Sequence, residues 1–334
     1  MTLMTQTPSA PDRTTPDQTA PGPDRARSIC VIANPGSGKR DPDLFDVIRR
    51  TVSEGDRRCE LRQAAKGESL EKLARKAVDD GFDVIAAAGG DGTIAAVASA
   101  IFKARESRAT LPALGVIPLG TFNYVARSLD LPLEDPSAAA RLLLDAPARP
   151  FAIGEVNGRV FLNNASLGAY PAILDQREGI YRRWGRSRIA AYWSVIRALS
   201  TLGRPLSMQI EADGRRIRKK SPLAFVANSS YQIEQFDLPG AEEVRQGRFA
   251  LFVAPDTGRF HMILSAIRLA GRTARLGRDM DLFSGKSVTI STRQSRRLVA
   301  FDGEKEEMDS PFRFRVHPDI LRVIAPDPVR TPDA

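Results

Sequence analysis

Cysteine and histidine are nearly missing from this sequence, with two of each in 334 residues. Cys30 lies in an apolar run and Cys59 among Arg57, Arg58 and Glu60, so neither a disulfide framework nor a zinc cluster has the ligands it needs. Both thiols are expected to be reduced and incidental. His261 falls in an expected helix and His317 precedes Pro318, and both are read as incidental to any chemistry. Long apolar runs are missing as well: nothing approaches the roughly 18 uninterrupted apolar residues of a membrane-spanning helix. The first 27 residues lack the succession of charged, apolar and small residues of a secretory leader, which sets a cytoplasmic expectation.

Positive charge is abundant. Lys and Arg number 49 against 40 Asp and Glu, a formal charge of +9 that suits anionic lipid headgroups, phosphorylated ligands or nucleic acid. No recognised DNA- or RNA-binding motif accompanies it, so nucleic acid ranks last among these partners.

Residues 1–27, rich in Pro, Thr and Asp, offer little apolar surface to offset the entropy of ordering and are expected to be a disordered tail. A second tail is expected at 327–334. Between them, Ser28 to Ala33 (SICVIA) reads as a buried strand followed by a helix near Asp43 to Ser53. Leu70, Leu73, Ala74, Ala77 and Val78 recur at helical spacing before a strand from Asp83 to Ala88. A small-residue helix from Thr93 to Lys103 and a strand from Ala113 to Ile117 come next. Alternation of this kind predicts an α/β domain over 28–148 with an open, mostly parallel sheet.

Beyond Pro150 the texture changes to short apolar runs separated by hairpin signals at Asn157-Gly158 and Asp213-Gly214, with further strands near 222–227 and 248–253. A β-rich, sandwich-like second domain over 149–317 is expected, interrupted by helices at 181–202 and 260–276. The last apolar strand, Leu321 to Ala325, is expected to return to the first domain, which 318–326 would complete.

Three turn segments fall at the expected carboxyl ends of successive strands: Asn34 to Lys39 (NPGSGK), Gly89 to Thr93 (GGDGT) and Pro118 to Asn123 (PLGTFN). In an open α/β sheet those ends border the ligand crevice. Glycine lets a phosphate approach backbone N–H groups, and a helix N-terminus adds unsatisfied donors. A P-loop would need Gly at Ala33 and Ser or Thr at Arg40, and a dinucleotide fingerprint starting at Gly36 and Gly38 would need Gly or Ala at Asp41. The three loops therefore describe a different phosphate site.

In order and spacing these loops resemble the NPxSG, GGDGT and PxGTxN segments of the diacylglycerol kinase catalytic-domain family, which includes bacterial lipid kinases and is related to sphingosine kinases. FLNNASLG at Phe161 to Gly168 and FDGE at Phe301 to Glu304 extend the resemblance, which runs from about residue 28 to 326. It implies ATP in a cleft between the domains, with Asn34, Gly36, Ser37 and Gly38 near its phosphates. Gly89, Gly90, Asp91, Gly92 and Thr93 would line the same cleft, and Thr121 and Asn123 would complete the wall. Asp91 would contact the nucleotide or organise a catalytic Mg²⁺; taken without the resemblance it reads as a helix N-cap. The DGE segment would supply the base that receives the acceptor hydroxyl proton, chiefly Glu304, with Asp302 as a neighbouring or alternative base.

The stretch Tyr181 to Leu202 mixes five arginines with Trp184, Tyr192, Trp193 and Ile196, as a membrane-interface segment or an amphipathic packed helix would. Arg215 to Lys220 (RRIRKK) is either the solvated rim of a hairpin or a site for anionic lipid. Three positions depart from the family pattern. Tyr124 follows Asn123 where many relatives carry an acid, Ala64 and Ala65 stand where a Thr is common, and Arg245, Gln246 and Gly247 replace a DDG-like segment. The last departure predicts that no structural metal is held in the second domain.

The expectation is thus an ATP- and Mg²⁺-using lipid kinase, acting on a hydroxyl such as that of diacylglycerol and peripheral to the inner face of a membrane, with a homodimer left open. The alternatives are a soluble kinase of the NAD kinase type, which shares the GGDG loop, and a non-catalytic nucleotide- or lipid-binding protein.

Overall fold

The computed structural model describes residues 27–36, 43–168 and 205–327. The expected helix at 181–202, as well as Ser37 and Gly38, lies outside the described residues.

The first layer is a parallel sheet whose strands run in the order β2 (Cys59–Gln63), β1 (Ile29–Ala33), β3 (Val84–Gly89) and β4 (Ala113–Pro118). Every residue of β1 and β3 is buried, because helices cover both faces and leave no place for the polar half of an alternating pattern. The outer strand, β2, keeps charged, half-exposed side chains, as an open sheet edge requires. On one face pack α2 (Leu70–Asp79) and α3 (Asp91–Lys103); on the other pack α1 (Leu44–Val52) and α5 (Pro136–Asp145). Local chemistry starts two of these helices: Ser69 Oγ accepts from Lys72 N ahead of α2, and Asp135 accepts from Ala138 N ahead of α5, whose first turn also carries proline. A five-residue helix, α4 (Tyr124–Ser128), follows the third loop.

A thirteen-residue strand, β16 (Phe312–Ile324), continues the sheet. Its carboxyl end lies parallel to β4, with Val323 opposite Leu114, and antiparallel to β5 (Ala148–Val156). Its amino half pairs with β13 (Ser287–Thr292), followed outward by β8 (Leu206–Ala212) and β9 (Arg215–Ser221). The register shifts between His317 and Leu321, where Pro318 offers no N–H to the ladder. One ten-stranded sheet, which also takes in β6 (Arg159–Phe161), therefore passes through both halves of the chain.

The second sheet has six antiparallel strands in the order β12 (Asp281–Gly285), β11 (Phe249–Val253), β10 (Leu223–Ala227), β7 (Asn164–Gly168), β14 (Arg296–Phe301) and β15 (Glu304–Asp309). Phe161, Phe249 and Phe314 meet between the sheets, with ring centroids 5.7 to 6.4 Å apart. Each fully buried ring of this kind contributes about 1.5–3 kcal/mol. Two short helices, α6 (Ser230–Gln235) and α7 (Ala241–Arg245), flank β10 and β11, and α8 (Arg259–Ala270) follows β11.

The fold class is as expected: a mostly parallel layer with helices and an antiparallel β-sandwich. Asn157-Gly158 and Asp213-Gly214 form hairpin turns with positive φ at both residues, and Asp302-Gly303 does the same. At the two ends of the described residues, Arg27 donates to Ala146 O at 2.6 Å and Asp327 pairs with Arg149.

Candidate active site

The three glycine-bearing loops meet at the carboxyl ends of β1, β3 and β4. Asn34 joins the first two: its Oδ1 accepts from Gly36 N at 3.0 Å, and its Nδ2 donates to Thr93 Oγ1 at 3.3 Å. Thr93 is buried and fills the space over Gly89, where an added Cβ would stand 2.3 Å from Thr93 Oγ1. Gly90 and Gly120 bring the second and third loops into backbone contact; a Cβ on Gly120 would lie 2.5 Å from Gly90 Cα. Such an approach is open to glycine alone.

Asn123 adopts a left-handed conformation (φ 52°) and is buried. Its carboxamide turns back on its own loop, accepting from Gly120 N and donating to Gly120 O, both at 2.9 Å. It shapes the loop from within, while Thr121 is exposed on its outside. Phe122 stacks on Tyr124 with ring centroids 5.8 Å apart, so the residue that departs from the family pattern joins an aromatic pair beside the loop.

Asp91 is not the N-cap of its own helix. Gly90 holds that position, and α3 starts at Asp91, two residues earlier than expected. The carboxylate instead reaches α4, where Oδ2 accepts from Tyr124 N at 3.2 Å and Oδ1 from Val125 N at 3.1 Å. Burial raises its pKa against the lowering effect of those donors.

In the sandwich, the two acids of the DGE segment, Asp302 and Glu304, stand in different surroundings. Asp302, at φ 47°, accepts from the backbone N–H groups of Leu162 (2.5 Å), Asn163 (2.8 Å) and Asn164 (3.2 Å). Burial pushes its pKa up to about 6, the three donors pull it down, and the negative charge of Asp91 raises it further. That repulsion links the acid of the second loop to the acid of the hairpin. Glu304, two residues on, is exposed at the start of β15. Its Oε1 lies 4.0 Å from the point where a Cβ on Gly92 would sit, over the first turn of α3. A carboxylate of the sandwich therefore stands against the loop of the parallel layer.

Sequence reasoning did not single out Asn228. Its Nδ2 donates to Ala152 O and Leu162 O, both at 3.0 Å, and its N–H donates to Asn163 O at 2.8 Å, which braces the segment that holds Asp302. Asn164 Nδ2 donates to Gln232 Oε1 at 2.9 Å. An asparagine directly after the apolar run of β10 is the one local sign of this support. At the position of the missing DDG-like segment, Arg245 pairs with Glu234 and, at 3.3 Å, with Glu242. Among the described residues no group of three or more His, Cys, Asp and Glu side chains is arranged to hold a metal ion.

Two family models match the chain: the diacylglycerol kinase catalytic domain over residues 28–156, and the YegS C-terminal NAD kinase beta sandwich-like domain over 176–325. A diacylglycerol kinase of Bacillus subtilis is 32% identical over 227 residues, which is 67% of this chain and 72% of the relative. The chain belongs to the diacylglycerol kinase and YegS family of lipid kinases. A Pseudomonas aeruginosa relative described as a probable lipid kinase YegS-like is 39% identical over 145 residues, covering 43% of this chain and 45% of that one. Among solved structures, a diacylglycerol kinase and a putative diacylglycerol kinase, both from Bacillus anthracis, superpose with TM-scores of 0.68 and 0.70 at 19% and 20% identity. Each superposition covers 91% of this chain and 98% of the other, a likeness of fold. In this family setting, the convergence of the three loops with the DGE hairpin is the candidate kinase site.

Proposed function

We propose that this chain transfers the γ-phosphoryl group of ATP, carried with Mg²⁺, to a lipid hydroxyl, with diacylglycerol the first acceptor to try, at the inner face of a membrane. The observation that carries this reading is the position of Glu304, an exposed carboxylate of the sandwich directed at the first turn of α3. The name of the Bacillus subtilis relative supports diacylglycerol, whereas the YegS-like relatives are named only as lipid kinases.

In this reading Glu304 accepts the proton of the acceptor hydroxyl. The hydroxyl oxygen bonds to the γ-phosphorus, the bond from that phosphorus to the β-bridging oxygen breaks, and ADP leaves with the electron pair. Backbone N–H groups of the Gly90–Gly92 turn take the phosphates, since its glycines leave no side chain in the way, while the Asn34–Gly36 turn, whose Gly36 N–H is held by Asn34 Oδ1, borders them. Asp302 acts as a positioning residue. Its oxygens already accept three N–H groups of the 162–164 segment, and one residue beyond it the chain turns to deliver Glu304.

The acids of the site fit a metal that arrives with the nucleotide. Asp91 and Asp302 are hard oxygen donors, Asp302 Oδ2 accepts a single N–H group where Oδ1 accepts two, and the repulsion between the two acids is what a cation relieves. Mg²⁺ bound there would neutralise charge on the transferring phosphoryl group.

The test is phosphate transfer from labelled ATP to vesicles containing diacylglycerol, ceramide, sphingoid base, monoacylglycerol or phosphatidylglycerol, with NAD in a parallel tube. A labelled lipid identifies the acceptor. Label in the NAD tube alone, or ATP binding without any product, would overturn the lipid-kinase assignment.

A further inference from the structure

Helix α8 buries none of its residues. A helix on a protein surface ordinarily hides an apolar stripe. Here three of the five exposed large apolar side chains among the described residues lie on α8 or in the turn after it: Phe260 at 76%, Ile267 at 54% and Leu276 at 44%. The charge is as one-sided as the exposure. Residues 257–278 contain five arginines, at 259, 268, 272, 275 and 278, and no Asp or Glu.

The first acid after this stretch, Asp279, is buried and serves the stretch itself. It accepts from Ser265 Oγ (2.8 Å), Arg268 Nη1 (3.0 Å), Arg275 N (3.0 Å) and Arg278 Nε (2.8 Å), which pins the turn to the helix as one unit. Beside it, Asp281 at the start of β12 pairs with Lys219 at 2.9 Å. Lys219 belongs to the basic edge strand β9, so the RRIRKK run lies against the base of the same unit.

We propose that α8 and the turn through Arg278, supported by the basic edge of β9, form the surface on which this protein docks to an anionic lipid bilayer. Phe260, Ile267 and Leu276 would enter the headgroup region while the arginines face anionic headgroups. Charge selects this occupant. A second copy meeting face to face would set arginine against arginine. Residues 169–204 of the chain itself carry seven arginines against two acids, Asp175 and Glu178, so their charge does not complement the face. Nucleic acid would use the arginines and leave the three apolar side chains in water.

The proposal rests on the lipid-kinase reading for its purpose, since the acceptor would sit in a bilayer, yet its test needs no catalysis. The full chain, without ATP or Mg²⁺, is floated with vesicles of phosphatidylcholine and with vesicles that also contain phosphatidylglycerol. Binding is expected to the anionic vesicles and to weaken with salt. The triple variant Phe260→Ser, Ile267→Ser, Leu276→Ser and, separately, the double variant Arg272→Glu, Arg275→Glu should each weaken it by about tenfold or more. Phosphorylation of a lipid dispersed in detergent micelles should stay at the wild-type level in both.

Failure of the wild-type chain to bind anionic vesicles, or variants that bind as it does, would overturn the docking surface. So would a change of molar mass in light scattering for the triple variant, which would make the face a contact between copies. Docking that depends on α8 in a chain that phosphorylates no lipid would leave the surface standing and remove the kinase reading alone.

Discussion

A side chain at Gly120 would begin 2.5 Å from the Cα of Gly90. Two backbones that touch this closely hold the second and third loops in one register, and the obstacle is main chain, which cannot swing aside. Gly120→Ala is therefore expected to cost about 1–3 kcal/mol as an overpacked contact and to weaken nucleotide binding by parting the loops. Thermal unfolding and ATP titration check this; an alanine variant matching the wild type in both would mean that the contact is dispensable.

Glu304→Gln should lower lipid phosphorylation by about 10²- to 10⁴-fold, the range for a lost general base. Its unfolding midpoint should not move, because the side chain is exposed. If the variant kept wild-type turnover, the base would have to be another group.

Asp302 gives a pH test. Its folded pKa is raised from 3.8 to about 6, so the stability it contributes is fully present below the unfolded value and is lost as pH rises through the folded one. Asp302→Asn removes that titration and adds a pH-independent penalty from the changed hydrogen bonds. In chelator-containing buffer, the denaturation free energy of the wild type minus that of the variant should fall between pH 3.8 and about 6 and level off above. A difference that is flat across this window would contradict the burial described for the carboxyl group.

At position 91 the two roles can be separated. Asp91→Ala strips the acceptor from the first N–H groups of α4 and should cost about 1–2 kcal/mol. Asp91→Asn keeps one acceptor oxygen and should unfold at nearer the wild-type midpoint. Both variants should lose phosphoryl transfer to a similar extent, since both lack the charge. Recovery of activity in the asparagine variant would assign Asp91 to architecture alone.

Much of the first domain was legible because its signals are local. The apolar runs of β1 and β3, the helical spacing of Leu70 to Val78 and the glycines of three loops each report on a few neighbouring residues. Those loops converge as expected because parallel strands with helical crossovers place successive carboxyl ends on one edge. The hairpins at Asn157-Gly158 and Asp213-Gly214 were equally plain, since few residue pairs tolerate positive φ at both positions.

The partners of the functional side chains were not legible in this way. Asp91 read as a nucleotide or Mg²⁺ contact, with a helix N-cap as the alternative, and the helix whose N–H groups it accepts is α4 rather than its own. Glu304 read as the chief base and Asp302 as a neighbouring or alternative one, with nothing local to separate their surroundings. Only the turn at Asp302-Gly303 turns one of them into the 162–164 amides and leaves the other at the head of β15. Beyond its place after the apolar run of β10, Asn228 gave no sign of bracing that segment, because its acceptors belong to the middle of β5 and the residue after β6.

By itself, then, the sequence determined the class of fold, the three glycine-bearing loops, the DGE hairpin and a family resemblance that the comparisons bear out. Tertiary structure decided which carboxylate is held by backbone and which stands free over Gly92, and it decided that a run of arginines and apolar residues after β11 lies on the surface. The physical reason is range. Turn and strand preferences act over a few bonds, whereas the charge state and direction of a carboxylate depend on N–H groups and neighbouring charges supplied by distant segments, 33 residues away for Asp91 and 140 for Asp302.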